Sequence, residues 1–332
     1  MSDGSVSRRD HVGDGSAVQG LPLAATGSVV TVGTFDGVHR GHQDVLATLV
    51  AHARRAGRPS LVVTFSPHPL EVINPAAAPQ LLTTHEEKLE VFAQSGVSYV
   101  AVLPFTPVLA AYEAETFVDK VLRERFAMHE LLVGHDHGFG RGRLGDLEVL
   151  RALGTARGFG VTVLAPVHAA GGDVISSTSI RQAVLAGDLD RVAAGLGRRY
   201  SLAGRVVRGD QRGRQIGYPT LNISLGPERK LLPPDGVYAV QVQTPQGPYA
   251  GMLNLGPRPT FGDPGRRIEA HLFDVSHDWY GATVRVDFVR HLRNTKAFAG
   301  IDDLRTQLAA DEAQARESLR APPTAERSAP LS

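Results

Sequence analysis

The stretch VVTVGTFDGVHRGHQDVL, residues Val29–Leu46, carries the strongest local signal in the chain. A β run ends at Gly33, a polar turn follows, and helical periodicity begins near Gly41–His42. In an open α/β sheet, ligands sit beyond the carboxyl ends of the strands. A helix start at that place presents free N–H groups and a positive dipole end, both of which attract phosphate. Gly33, Gly37 and Gly41 let the backbone turn and come close to a ligand. His39 and His42 are three residues apart, so on a first helical turn they share a face and can donate to the same anion. Alone, the two histidines read as surface or capping residues, or as an HxxH zinc pair with no third ligand evident nearby.

Outward from this stretch the same texture persists from about Val29 to Ala186. Leu61–Phe65, Tyr99–Leu103, Leu131–Gly134 and Val161–Val167 are apolar throughout, as strands buried on both faces are. Helical patterns such as His85–Ser95 and Ala114–Phe126 separate them, and this alternation predicts a mostly parallel sheet covered by helices. After roughly Tyr200 the pattern changes to short strands broken by Gly and Pro: GVYAVQVQT, YAGMLNLG, RIEAHLFDV and ATVRVDFVRHL. Short strands in series without helices predict an antiparallel barrel or sandwich, with a final helix over Asp302–Arg320 packed on it.

The expected limits are therefore a disordered lead over 1–20, an α/β domain over 21–186, a connector with a short helix over 187–199, a β domain over 200–320 and a disordered tail over 321–332. The length of 332 residues is consistent with two domains. No internal repeat is visible.

Composition narrows the chemistry. The chain has no cysteine, which excludes a disulfide framework, an iron–sulfur site, a thiolate nucleophile and any cysteine zinc finger. Its 35 basic and 34 acidic residues leave a formal charge of +1, which argues against a nucleic-acid footprint. No run of about 18 apolar residues occurs, and the first twenty residues carry Arg8, Arg9 and Asp10 instead of an apolar signal core. The expectation is a soluble cytoplasmic protein with no membrane partner, a monomer or weak homo-oligomer.

Further motifs add to the first. TFSPHP (Thr64–Pro69) follows a strand. ISSTSIR (Ile175–Arg181) places hydroxyls and N–H groups before a helix bearing Arg181, again a set suited to an anion. The HxGH spacing of His39 and His42 resembles the nucleotide-binding motif of the nucleotidyltransferase superfamily. The longer GTFDGVHRGH, with TFSPHP and SSTSIR, resembles the FMN adenylyltransferase branch of bacterial bifunctional riboflavin kinase/FAD synthetases. VGHDHGFGRGRLGD (Val133–Asp146) fits that family at Gly134, Asp136, Phe139, Gly140 and Gly145, and departs from it at His137. The resemblance implies a Rossmann-like nucleotidyltransferase domain that binds ATP and FMN and transfers AMP to the FMN phosphate. It implies His39 and His42 as catalytic groups at the α-phosphate. Gly33, Phe35, Asp36, Gly41, Ser176, Ser177, Thr178 and Arg181 would surround the nucleotide phosphates. His68, Asp136 and Phe139 would line the flavin site.

In the second half no GxxxxGK[ST] occurs, which rules out a Walker-type kinase. GRVVRGDQRGRQIGYPTLNI (Gly204–Ile223) instead interleaves Gly209, Gly213 and Gly217 with Arg212 and Arg214, a possible phosphate-contacting flap. Thr220 and Asn222, two apart on an extended segment, point to one side, where their oxygens suit a hard cation. Read alone, such a Gly/Arg loop is a solvated turn.

The string is similar to the GRGRxxGxPTAN segment of riboflavin kinases, with Gln211 and Leu221 as departures. LPPDGVYAV, NLGPRPTFG and IEAHLFD continue that pattern. The resemblance implies a six-stranded antiparallel riboflavin-kinase barrel with a C-terminal helix. It implies Glu269 as general base for the ribityl hydroxyl, phosphate contacts from Gly209, Gly213, Arg214 and Gly217, Mg²⁺ at Thr220 and Asn222, and Arg258 near the flavin. Alternation in RRIEAHLFD puts Ile268, Ala270 and Leu272 on one face and Glu269, His271 and Phe273 on the other. By that pattern alone, Glu269 is a solvated strand carboxylate.

The resulting expectation is an enzyme that uses ATP with Mg²⁺ to convert riboflavin to FMN and then FMN to FAD. Two other readings stand beside it: a flavin- or nucleotide-binding regulator with one half decayed, and an adenylyltransferase for another phosphorylated substrate fused to a spare barrel.

Overall fold

A computed structural model describes residues 27–134, 146–165, 175–209, 212–257 and 266–320, without the Arg212 side chain. The expected lead and tail, Asp136, His137, Phe139, Gln211 and Arg258 lie outside the described residues. The described residues divide into two compact units, one within 27–80 and 85–175, the other within 81–84 and 176–320.

The first unit runs β1 (Ser28–Val32), α1 (Arg40–Arg55), β2 (Ser60–Ser66), α2 (Pro69–Ile73), α3 (His85–Ala93), β3 (Tyr99–Pro104), α4 (Pro107–Ala110), α5 (Ala114–Phe117), β4 (Met128–Gly134), α6 (Leu147–Arg157) and β5 (Gly160–Leu164). The five strands form one parallel sheet in the order β3-β2-β1-β4-β5. Alternate residues feed two cores, which is why the strands read as apolar throughout. Val30, Leu61 and Leu131 face Phe117, Val118 and Leu150. Val29, Val62 and Leu132 face Leu46 and Leu49 of α1 and Phe92 of α3. The helix expected over Ala114–Phe126 is shorter and irregular: α5 passes into a π-helical turn, Val118–Arg123, and Ala127 at φ 48° turns the chain into β4. Connections leave β1 toward β2 on one side, and β4 returns on the other. The strand order therefore reverses at β1, where sheets of this kind hold ligands.

The second unit runs α7 (Ser177–Leu185), α8 (Leu189–Leu196), β6 (Ser201–Val207), α9 (Arg212–Gln215), β7 (Leu221–Ser224), β8 (Gly236–Thr244), β9 (Gly247–Pro257), β10 (Arg266–Leu272), β11 (Thr283–Arg293) and α10 (Ile301–Arg320). Its six strands close into a barrel in the order β10-β7-β6-β11-β8-β9, with every pairing antiparallel. One set of alternating residues fills the inside: Leu202, Val206, Val240, Val242, Leu253, Leu255, Ala270, Val286 and Phe288 are all at most 1% exposed. The outer set on β8, β9 and the end of β10, Ala239, Met252 and Phe273, packs against Ala315 of α10. Arg293 clamps that helix by a two-pronged ion pair to Asp311, at 2.8 and 2.6 Å, and Asp311 is 1% exposed.

The unit also takes in Leu81–Thr84. Leu81 exchanges backbone hydrogen bonds with Arg229 and Leu231, and the buried Lys230 donates to the Leu82 carbonyl at 2.7 Å. The break between units falls at Ile175/Ser176, and α7 packs with α8.

Candidate active sites

The turn after β1 is built under strain. Gly33 continues the ladder for one residue by donating to the Val63 carbonyl. Phe35 (φ 49°) and Val38 (φ 38°) then take the left-handed region on either side of Gly37 (φ 81°). For a β-branched residue such as Val38 this conformation is an outlier, and each such non-glycine residue costs about 1–3 kcal/mol. Burial holds them there: Val38 is fully buried, Phe35 is 3% exposed and meets Phe92 edge-on, and the Val38 N–H closes the turn on the Phe35 carbonyl.

The turn delivers His39 as the N-cap of α1, its Nδ1 accepting from the His42 N–H at 3.3 Å. The two imidazoles stack at 3.7 Å with 19° between planes. A side chain at 41 would crowd the His39 ring at 3.2 Å, so Gly41 gives the stack room. No acidic residue occupies the first turn of α1, and its dipole end is left for an anion. His42 stands edge-on to Phe35 at 5.0 Å, and its Nδ1 is buried without a hydrogen-bond partner among the described residues. Burial first, then the neighbouring His39, then the Lys88 charge hold its pKa well below the ordinary 6.5. His42 is therefore neutral at pH 7, a dipolar donor and not a cation.

Asp36 is buried in the same turn. His68 caps α2: its Nδ1 accepts from Leu70 N–H at 3.2 Å, and its own N–H goes to Glu71 at 3.1 Å. Ser176 caps α7, its hydroxyl accepting from Ser179 N–H in a reciprocal box, while Ser177 and Thr178 form the first turn and Arg181 follows half-buried. The division of the chain thus puts His39, His42 and His68 in the first unit and Ser176–Arg181 in the second.

In the barrel, register makes the site. Glu269 on β10 lies directly opposite Asn222 on β7 and Asn254 on β9, and directly opposed residues share a face. The three form a polar row on the outer face, while Leu221, Leu253 and Ala270 beside them point inward. Glu269 is not the solvated carboxylate that alternation alone suggests. It is half-buried, with Arg267 at 3.5 Å.

The glycine-rich segment is a helical turn, α9, whose Gly213 carbonyl accepts from both Ile216 and Tyr218. Gly217 at φ 87° then turns the chain into Tyr218-Pro219-Thr220. A Cβ on Gly213 would collide with the Tyr218 carbonyl at 2.2 Å, and one on Gly209 with the Asn222 amide at 2.2 Å. Gly213 makes room for the Tyr218 backbone that folds back on it, and Gly209 for the Asn222 side chain of β7. Arg214 is exposed. The Pro219 carbonyl accepts from His271 Nδ1 at 2.8 Å, which holds the segment from the β10 side. Tyr218 bonds Glu312 of α10; burial first, then that carboxylate, raise its pKa.

The sequence reading gave no role to Lys88, Asn254 or Arg267, and placed His271 only on the face it shares with Glu269. Asn254 and His271 fall within quoted motifs, and strand register alone would have singled out Asn254. Lys88 shows no signal beyond a polar residue in the buried phase of α3.

Each unit presents polar groups suited to a phosphate anion, the arrangement of a two-domain phosphate- and nucleotidyl-transfer enzyme. A family model for FAD synthetase matches residues 22–179, and one for riboflavin kinase matches residues 196–319. The bifunctional riboflavin kinase/FMN adenylyltransferase of Escherichia coli (strain K12) is 40% identical over 292 residues, 88% of this chain and 92% of that protein. The protein of the same description from Pseudomonas fluorescens is 40% identical over 297 residues, 89% and 94% of the two chains. A crystal structure of a macrolide-efflux protein from Streptococcus pneumoniae is 33% identical with a TM-score of 0.78, covering 87% of this chain and 93% of that one. The chain belongs to the bifunctional riboflavin kinase/FMN adenylyltransferase family, transferases of flavin biosynthesis. Among the described residues, no helix is long and apolar enough to cross a membrane.

Proposed function

We propose that the junction of β1 and α1 is the adenylyl-transfer site and that the outer barrel face at Glu269 is the phosphorylation site, each using ATP. We assign the first activity to residues 21–186 and the second to 200–320.

In adenylyl transfer, an FMN phosphate oxygen bonds to the α-phosphorus while the bond from that phosphorus to the bridging oxygen breaks and pyrophosphate leaves. The nucleophile is already an anion, so no proton need be removed. Charge builds on the α-phosphate oxygens, and His39 and His42 donate to it there. Gly33, Phe35, Asp36 and Gly41 shape the approach. Ser176, Ser177, Thr178 and Arg181 hold the leaving phosphates, and His68, Asp136 and Phe139 line the flavin.

In the kinase step Glu269 takes the proton of the ribityl 5′-hydroxyl as its oxygen bonds to the γ-phosphorus and ADP departs. Gly209, Gly213, Arg214 and Gly217 cover the phosphates, and Arg258 contacts the flavin.

Thr220 and Asn222 would hold Mg²⁺. The Asn222 carboxamide seated against Gly209, with a carboxylate opposite, is an oxygen set that suits a hard divalent ion. Bound there, the ion would neutralise triphosphate charge. We take the enzyme to be cytoplasmic and a monomer or weak homo-oligomer.

The observation that carries the reading is the stacked histidine pair at an acid-free helix start beyond β1. Incubation with riboflavin, ATP and Mg²⁺ followed by separation of the flavins tests it. The H39A/H42A variant is expected to accumulate FMN at the parental rate and form no FAD. Loss of both products in a folded protein would overturn the assignment.

A further inference from the structure

Lys88, on the first turn of α3, is buried at 8% exposure and directs its Nζ to three oxygens. These are the Thr34 carbonyl at 3.2 Å, the Thr64 hydroxyl at 3.3 Å and the Phe65 carbonyl at 3.3 Å. The Thr64 hydroxyl also donates to the Thr34 carbonyl at 3.2 Å. A single ammonium therefore ties the exit of β1 to the exit of β2, the two strand ends that carry GTFDG and TFSPHP.

A buried charge is expensive, and an apolar side chain of the same volume would often pack as well or better. What the ammonium adds is directional. Thr34 O accepts twice, which sets the peptide plane leading into Phe35, the first left-handed residue of the turn. The Phe35 ring in turn backs His42 at 5.0 Å. The Lys88 charge also acts on His42 directly, as the third contribution to its suppressed protonation.

We propose that Lys88 is a positioning residue for adenylyl transfer, pinning the Thr34–Val38 turn to the end of β2 so that Phe35 and His42 hold one fixed geometry. This rests on the assignment of His39 and His42 to that reaction.

K88M, which keeps the length and loses the charge, should lower kcat for FAD formation from supplied FMN by about 10²-fold, the usual effect of misplacing reacting groups by about 1 Å. KM for ATP should stay within about threefold, and FMN formation by the same molecules within about twofold, since binding and the second unit are untouched. The chain has no cysteine, so K88C introduces a single thiol. Alkylated in denaturant and refolded beside parent protein treated the same way, K88C can carry either an aminoethyl group, which restores an ammonium, or a neutral carbamidomethyl group. The aminoethyl adduct should recover FAD formation at least about tenfold over the neutral one, because only it supplies the charged donor.

Equal recovery by both adducts, an FAD rate in K88M within threefold of the parent, or parallel loss of FMN formation would overturn the proposal. If instead H39A/H42A forms FAD at the parental rate, it is the histidine assignment that fails.

Discussion

The β1 turn and the outer barrel face bring functional groups together in different ways. In the parallel sheet every strand delivers its chain to the same end, so the site is made of loops, and its cost is paid in backbone strain at Phe35 and Val38. In the antiparallel barrel the groups stand on the strands themselves, and Asn222, Glu269 and Asn254 are aligned by hydrogen-bond register without left-handed backbone. A loop site draws its geometry from buried pins around it. A strand site draws it from the ladder. Substitutions should separate the two kinds of support.

The largest effect is expected in the barrel. E269Q keeps the row's shape and removes its base, so FMN formation should fall by about 10³-fold, within the usual range for a general base. Riboflavin binding, read by flavin fluorescence, and FAD formation from supplied FMN should stay near parental values. A turnover within about threefold of the parent would remove Glu269 from the role.

Next is the support of the ladder. D311A leaves the half-buried Arg293 without its carboxylate, which should cost about 1.5–3 kcal/mol in the stability of the barrel. That would appear as faster amide exchange in β8–β11 and α10, while exchange in the parallel sheet stays unchanged. Equal acceleration in both units would deny that the barrel has its own stability.

The smallest effect concerns His42. Because the folded protein protonates this ring less readily than the unfolded chain, its contribution is complete above pH 6.5. It is lost as pH falls from 6.5 toward the depressed folded value. Histidine NMR resonances followed from pH 8 to 5 should show His42 titrating well below 6.5. H39A should move that midpoint upward, since the neighbouring imidazole is the second cause of the shift. A midpoint at 6.5 in the parent would mean that the turn does not bury the ring.

Much of this was legible in the chain. The strands of the first unit were visible because residues buried on both faces leave unbroken apolar runs, and Gly33, Gly37 and Gly41 marked the turn between strand and helix. The barrel strands β8–β11 showed through their turn residues. The strands β6 and β7 were not called from their pattern, because Gly204 and Arg205 interrupt the first and the second has only 4 residues. The irregular end of α5 was hidden, since helical periodicity does not distinguish a π turn from an α turn. His68 and Ser176 were legible as motif members, but their capping hydrogen bonds were not.

By itself the sequence determined the strand–helix alternation of the first unit, the two tandem architectures and the residues of the two phosphate-handling motifs, because periodicity, turn chemistry and close-range spacing are local properties. Only the tertiary structure decided that Lys88 joins two strand exits, that Asn254 and Asn222 flank Glu269, and that Leu81–Thr84 belongs with Lys230 in the second unit. Those relations join residues tens of positions or more apart. They follow from register and side-chain packing, which are set by the whole core and leave no periodic trace in the segments they connect.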